Sequence, residues 1–133
     1  MAVIAVMDIG KTNAKLCVVD AETGRLAGTR KTQTRSIDAS PYLHLDTDSL
    51  WHWFVAELTQ LQATEDVSTI VVTAHGATAA LIDDDGLVLP VMDYEFTGLD
   101  ELRPQYDAVC DPFEHTYSPV SYTHLTLPTI CSV

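Results

Sequence analysis

Basic residues are scarce: 7 lysines and arginines stand against 19 aspartates and glutamates, a net charge of −12 over 133 residues. A chain so acidic repels phosphate backbones, which argues against nucleic acid and anionic membrane as partners. Cysteine is also rare. Cys17, Cys110 and Cys131 are odd in number and widely spaced, with no CxxC pair and no disulfide framework, so a reducing cytoplasm fits best. No apolar run approaches the roughly 20 residues of a membrane span. The opening, MAVIAVMDIGK, lacks a basic leader segment and is interrupted by Asp8, so it reads as a strand and not as a signal peptide. Repeats and low-complexity segments are missing. What remains is an ordinary globular balance, 47% hydrophobic and 20% charged, which argues against a disordered tail. The length suits about one domain that buries roughly two-thirds of its unfolded surface.

The few cations are concentrated. Six of the seven (Lys11, Lys15, Arg25, Arg30, Lys31, Arg35) lie in the first 35 positions with three acids, a local charge of +3, while the rest of the chain carries −15. That segment can serve one small anion. Most of the acids elsewhere read as solubilising surface.

The hydrophobic pattern predicts an α/β chain. AVIAVMDIG is a continuous apolar run, as in a buried central strand. KLCVVD follows after the turn GKTNA and holds Cys17 as a core residue. RLAGTRKTQTR is a third, half-polar strand, so the three form an antiparallel meander. After a loop over 36–46, Asp46 or Thr47 caps a helix with Asp48 in its first turn. Leu50, Trp51, Phe54, Val55, Leu58 and Leu61 mark its apolar face, with both tryptophans as core anchors. STIVVTAHG is the next buried strand. A hairpin turning at Asp83-Asp84-Asp85-Gly86 follows; its consecutive aspartates read as solvated turn residues and not as a metal site. GLDELRPQY is a short helix, and DAVCDPFEHTYSP is loop-like. The order β-β-β-α-β is not a Rossmann opening, which needs a helix directly after the first strand.

Three constellations can carry chemistry. In MDIGKTNAK, Asp8 ends a buried strand and Gly10 allows close backbone approach. The turn amides, with the Thr12 and Asn13 side chains, can cradle phosphate oxygens. Lys11 and Lys15 add positive charge, and Asp8 can hold hydrated Mg²⁺, which takes one or two carboxylates plus water and phosphate. The plainer reading is a hairpin in which glycine merely turns the chain. The upstream glycine of a Walker loop is missing, and a strand follows in place of a helix. In TAHGATAAL, His75 falls at the carboxyl end of a strand, a usual place for binding groups, with Gly76 freeing the backbone; a structural histidine is the plainer alternative. In PVMDYEFTG, Asp93 and Glu95 alternate on an extended segment and share a side, where they can accept hydrogen bonds from hydroxyls; two surface acids are the alternative.

Taken in order, Asp-Ile-Gly-Lys-Thr-Asn before a strand, a helix with paired tryptophans, a strand ending in His-Gly-Ala-Thr and an acidic segment after Leu-Pro resemble the start of FGGY-family carbohydrate kinases. The likeness covers roughly residues 3–119. The first motif resembles the first phosphate loop of the sugar-kinase, chaperone and actin superfamily, Asp-x-Gly-Thr-Thr-Ser-x-Arg, with Lys11, Asn13 and Lys15 as departures. His75-Gly76-Ala77-Thr78 resembles the sugar-contact segment of xylulokinases, with Ala74 in place of methionine. Asp93-Tyr94-Glu95 falls near the family's Trp-x-Asp-x-Arg segment, without the arginine. The Lys-Thr-Asn variant points toward the rhamnulokinase-like and fuculokinase-like branches.

This resemblance implies a ribonuclease H-like (actin-like ATPase) domain with a mixed sheet, present here in part, and ATP and Mg²⁺ as cofactors. It implies that Asp8 organises the metal, that Gly10, Lys11, Thr12 and Asn13 face the β- and γ-phosphates, and that Lys15 neutralises transferring charge. His75 and Gly76, with Asp93 or Glu95, would grip hydroxyls of a ketose or deoxy-sugar. The family's catalytic aspartate, second phosphate loop and adenosine pocket would lie beyond this chain, leaving it inactive alone; a homodimer of the full-length protein is compatible with the family. A non-catalytic sugar- or nucleotide-binding module and an activator-type ATPase are the alternatives on the same fold. Val120–Thr129 also matches a transposon-end sequencing adapter read in frame. The expectation is therefore a partial N-terminal kinase domain over 1–119 and a non-native tail over 120–133, with His124 and Cys131 outside consideration. Bare strand edges and apolar surface are expected to favour aggregation.

Overall fold

The computed structural model describes residues 2–76, 78–93 and 95–116. The adapter-like stretch, His124, Cys131, Ala77 and Tyr94 lie outside the described residues. The chain divides into two compact units: Met1–Ile37 with Leu45–His75, and Asp38–His44 with Gly76–Val133.

The first unit is built on a four-stranded sheet in the order β3-β2-β1-β6. Its strands are β1 (Ala2–Ile9), β2 (Asn13–Asp20), β3 (Leu26–Gln33) and β6 (Asp66–Ala74), with the two-residue strands β4 (Ser36–Ile37) and β5 (His44–Leu45) between β3 and the helix. β1 pairs antiparallel with β2 and parallel with β6, and β2 pairs antiparallel with β3, so the sheet is mixed. The expected meander is present. β2 starts two residues earlier than its apolar run, because Asn13 already pairs with Gln33 across the ladder.

Alternation along the strands decides which side is core. Val3, Ala5 and Met7 of β1 and Ala14, Leu16 and Val18 of β2 are buried, and they pack with Phe54 and Leu61 of helix α1 (Thr47–Gln62). Successive strand residues point to opposite faces, so Asp8, Lys15 and Cys17 lie on the other side of the sheet. Asp46 is the N-cap, its carboxylate accepting from the Ser49 amide at 3.0 Å. From β3, Arg30 donates to the Glu57 carboxylate at 2.8 Å and to the Glu57 backbone carbonyl at 3.2 Å, pinning the helix across the sheet.

Three expectations change here, the first being Cys17, which lies on the face away from the core cluster and is only partly buried. Trp51 is 63% exposed and is no core anchor. The buried stripe of α1 runs through Leu50, Trp53, Phe54, Leu58 and Leu61, and at 100° per residue it leaves Trp51 and Val55 on the flank. β6 is not a buried strand either. Among the described residues it is an end strand of the sheet, with Ile70, Val71 and Val72 at 54%, 44% and 60% exposure. A continuous apolar run signals burial on both faces only when further elements flank the strand.

In the second unit, β7 (Ile82–Asp83) and β8 (Gly86–Leu87) form the expected hairpin. The Asp83 carboxylate accepts from the Asp85 and Gly86 amides, and Gly86 supplies the φ of +123° that the turn requires. The Tyr42 hydroxyl donates to the Pro90 carbonyl at 2.8 Å, and the Asp93 amide donates to the Leu43 carbonyl at 3.0 Å. A 3₁₀ turn (Asp100–Leu102) leads into α2 (Arg103–Val109), with Pro104 in its first turn. The segment expected to be loop-like is partly helical: α2 runs to Val109, and α3 covers Phe113–Thr116 just after Pro112.

Candidate functional site

β1 and β2 end together at one edge of the first unit, and the turn between them is tightly closed. The Gly10 amide donates to the Asn13 carbonyl at 3.0 Å. A Cβ built on Gly10 would stand 2.8 Å from that same carbonyl oxygen. The glycine is therefore required by space; its φ is not among the positive ones. Thr34 staples the turn from the next strand exit. Its amide donates to the Thr12 carbonyl at 3.0 Å, and its hydroxyl donates to the Gly10 carbonyl at 2.8 Å. Sequence reasoning missed Thr34, because only the β2–β3 register brings it beside the turn. The arrangement also narrows the expected cradle: the Gly10 amide is engaged inside the turn, so the donors for an anion reduce to later amides and the Thr12 and Asn13 side chains.

Asp8 sits directly opposite Lys15 on β2 and opposite Thr73 on β6, and Lys15 sits opposite Lys31 on β3. Cross-strand partners share a face, so Lys31, Lys15, Asp8 and Thr73 form a polar row across the sheet. The Lys15 ammonium is 3.5 Å from an Asp8 carboxylate oxygen, with the two side chains 45% and 39% exposed. At that exposure the pair contributes little to stability, about 0–1 kcal/mol.

His75 follows β6 immediately and closes on the same strand end. Its amide donates to the Ile9 carbonyl at 2.9 Å, and its Nδ1 lies 3.2 Å from that oxygen. A carbonyl only accepts, so Nδ1 is the donor in this contact. Asp8, Gly10, Lys11, Thr12, Asn13, Lys15 and His75 thus belong to one unit and gather at one end of its sheet.

Gly76, Asp93 and Glu95 belong to the second unit. Asp93 and Glu95 do not lie on an extended segment with a common side. The Asp93 carboxylate accepts from the Glu95 amide at 2.9 Å, and the Asp93 carbonyl accepts from the Phe96 amide at 2.9 Å, a turn of the kind aspartate favours. Asp93 is 2% exposed while Glu95 is exposed, so the two carboxylates occupy different environments.

A magnesium ion fits Asp8 and not a dedicated cage. Among the described residues no three histidine, cysteine or acidic side chains cluster as metal ligands. Mg²⁺ bound with a nucleotide needs only one or two carboxylates, with water and phosphate completing its shell. A half-exposed Asp8 beside a turn with hydroxyl and amide donors meets that requirement.

The architecture is an α/β, ribonuclease H-like (actin-like ATPase) fold with a mixed sheet, the fold of solved carbohydrate kinases. Among these is a carbohydrate kinase from Novosphingobium aromaticivorans, with a TM-score of 0.81 and 27% identity over 96% of this chain and 28% of that one. A ligand-bound xylulose kinase from Lactobacillus acidophilus has a TM-score of 0.65 at 15% identity, covering 81% of this chain and 23% of that one. Plasmodium falciparum glycerol kinase with ADP has a TM-score of 0.59 at 15% identity, covering 84% and 24%. This chain therefore spans about a quarter of the length of the structures it matches. No protein-family model matches it, and no curated protein matches it by sequence. Among the described residues no helix is long and apolar enough to cross a membrane.

Proposed function

We propose that this chain is part of an FGGY-type, ATP-dependent carbohydrate kinase of the cytoplasm. The reaction would transfer the γ-phosphoryl group of ATP to a hydroxyl of a ketose or deoxy-sugar. Residues 1–119 would form part of its N-terminal domain, and 120–133 would be a non-native tail. The observation that carries the reading is the convergence of Asp8, the Gly10–Asn13 turn, Lys15 and His75 on one strand end. The carbohydrate-kinase fold supports it.

In this reading Asp8 holds hydrated Mg²⁺, which neutralises phosphate charge when bound. Lys11, Thr12 and Asn13 donate to the β- and γ-phosphates. Gly10 keeps the turn tight enough for close approach and does not itself donate. Lys15 leaves Asp8 and pairs with phosphate oxygens. His75, with Gly76 and with Asp93 or Glu95, holds sugar hydroxyls; a buried polar group matched to a hydroxyl rejects analogues strongly. Phosphoryl transfer depends on positioning and charge neutralisation from both sides of the phosphate, and these residues supply one side. The 133-residue chain is therefore inactive by itself.

Titrating ¹⁵N-labelled chain with MgADP and with pentoses tests the roles. MgADP is expected to shift the amides of 11–13 and 15, and pentoses those of 75 and 76. Saturating MgADP that leaves 11–13 unmoved refutes the phosphate seat. Sugar-dependent ADP release from the 133 residues refutes the inactivity, and nucleotide hydrolysis indifferent to sugar would favour an activator-type ATPase.

A further inference from the structure

Thr34 is the first residue past β3 and is half-buried beside the β1–β2 turn. Its two donors go to two different carbonyls of that turn. The hydroxyl donates to the Gly10 carbonyl at 2.8 Å, and the amide donates to the Thr12 carbonyl at 3.0 Å. A peptide unit is planar and trans, so a carbonyl and the N–H that follows it point in opposite directions. Holding the Gly10 and Thr12 carbonyls toward Thr34 therefore turns the Lys11 and Asn13 N–H groups away from it, to the same side of the turn.

The flanking peptide units are fixed without Thr34. The Ile9 carbonyl accepts from the His75 amide at 2.9 Å, while the N–H of the same unit, that of Gly10, donates to the Asn13 carbonyl at 3.0 Å. The unit joining Gly10 to Lys11 is different, because a side-chain hydroxyl holds its carbonyl. Carbonyl oxygens repel phosphate, whereas N–H groups turned to one side make a concavity that binds anions. Threonine suits the position, since branching at Cβ limits χ1 and so fixes the direction of the hydroxyl.

We infer that Thr34 is a positioning residue of the phosphate seat. Its hydroxyl keeps the Gly10 carbonyl turned away from a bound phosphate and the Lys11 N–H turned toward it. This role rests on the reading of the turn as a seat for nucleotide phosphates. Without the hydroxyl the unit joining Gly10 to Lys11 can rotate, and the ligand must order it on binding, which lowers affinity.

The test titrates ¹⁵N-labelled full chain with MgADP and with pyrophosphate, following the amides of 11–13. Thr34→Val keeps the shape and the strand preference of threonine. Thr34→Ala does not, and the two variants share only the loss of the hydroxyl; Thr34→Ser retains it. The valine and alanine variants are expected to raise the dissociation constant at least about fivefold, and the serine variant to stay within about twofold of the unaltered chain. Thr64→Val is the control for a general loss of stability. It removes a partly buried hydroxyl that donates to the Leu61 carbonyl at 3.2 Å, ahead of β6 and at the far end of the sheet from the turn, and is expected to leave the dissociation constant unchanged. In the ligand-free chain, Thr34→Val is expected to move the Lys11 amide resonance more than that of Asn13, whose peptide unit the Thr34 amide still holds. An unaltered chain that binds neither ligand overturns the phosphate seat and this inference with it. Binding by the unaltered chain that the valine and alanine variants match, that serine does not restore, or that Thr64→Val weakens equally overturns the role of Thr34 alone and leaves the seat standing. So does a Lys11 resonance that moves no more than that of Asn13.

Discussion

Replacing Gly10 by alanine is the sharpest probe of the β1–β2 turn. The added methyl carbon would stand 2.8 Å from the Asn13 carbonyl oxygen, a main-chain atom that no side-chain rotation can move aside. Relief requires the turn to open, yet Thr34 holds it from both sides through the Thr12 and Gly10 carbonyls. Overpacking of this kind costs about 1–3 kcal/mol. Opening the turn also loses the Gly10–Asn13 hydrogen bond, worth about 1 kcal/mol. The sum, about 2–4 kcal/mol, is a large part of the stability of a small domain, about 5–15 kcal/mol. Two other glycines separate the causes. Gly24 has open space around its Cβ position but a φ of +68°, so Gly24→Ala is expected to cost about 1–2 kcal/mol from the backbone alone. Gly28 has open space and no positive φ, so Gly28→Ala is expected to be neutral or to stabilise by about 0.4–1 kcal/mol. Urea unfolding of the full chain, compared at a common m-value, measures all three. The reasoning fails if Gly10→Ala is no more destabilising than Gly28→Ala.

Phe54→Ala, at a residue 1% exposed, is expected to cost about 3–5 kcal/mol in the same assay, whereas Trp51→Ala is expected to stay within about 0.5 kcal/mol; equal effects would refute the assignment of the helix face. Arg30→Ala is expected to cost under about 1 kcal/mol, because its ion pair with Glu57 is partly solvated; a larger loss would show the clamp to be a main support of α1. The Asp20 carboxyl is held below the usual aspartate range, first by the Thr23 amide and then by the Thr23 hydroxyl. Its folded-state pKa is depressed, so the turn is stabilised above the unfolded value and loses that contribution as pH falls through the folded one. Amide shifts of Glu22 and Thr23 are expected to titrate with a midpoint below that of an unfolded aspartate, about 3.9, and a midpoint at or above it contradicts the assignment. Asp8→Asn, which keeps shape and removes charge, is expected to abolish Mg²⁺-dependent shifts at 11–13 while leaving urea stability within about 1 kcal/mol; unchanged Mg²⁺ response would remove Asp8 from the metal's shell.

What the sequence determined by itself was local. A continuous apolar run marked β1, alternation and turn residues marked the meander, and Asp46 with a helical period marked α1, since each signal depends on neighbours a few residues apart. The Asp8–Lys15 neighbourhood was legible in part, because a tight turn makes the strands on either side of it pair. Tertiary structure decided the rest. Trp51 and Trp53 are indistinguishable as residue types, and only the angle at which α1 meets β1 and β2 packs Trp53 partly against the core and leaves Trp51 exposed. The apolar content of β6 reads as a buried strand, but at the end of the described sheet Ile70, Val71 and Val72 are exposed. The Asp93 turn, with one acid buried and the other exposed, cannot be told from an extended strand by alternation. Thr34 reaches the turn only through the β2–β3 register, a pairing between residues more than twenty positions apart. Burial and ligand geometry are sums over such distant neighbours, which a linear pattern does not contain.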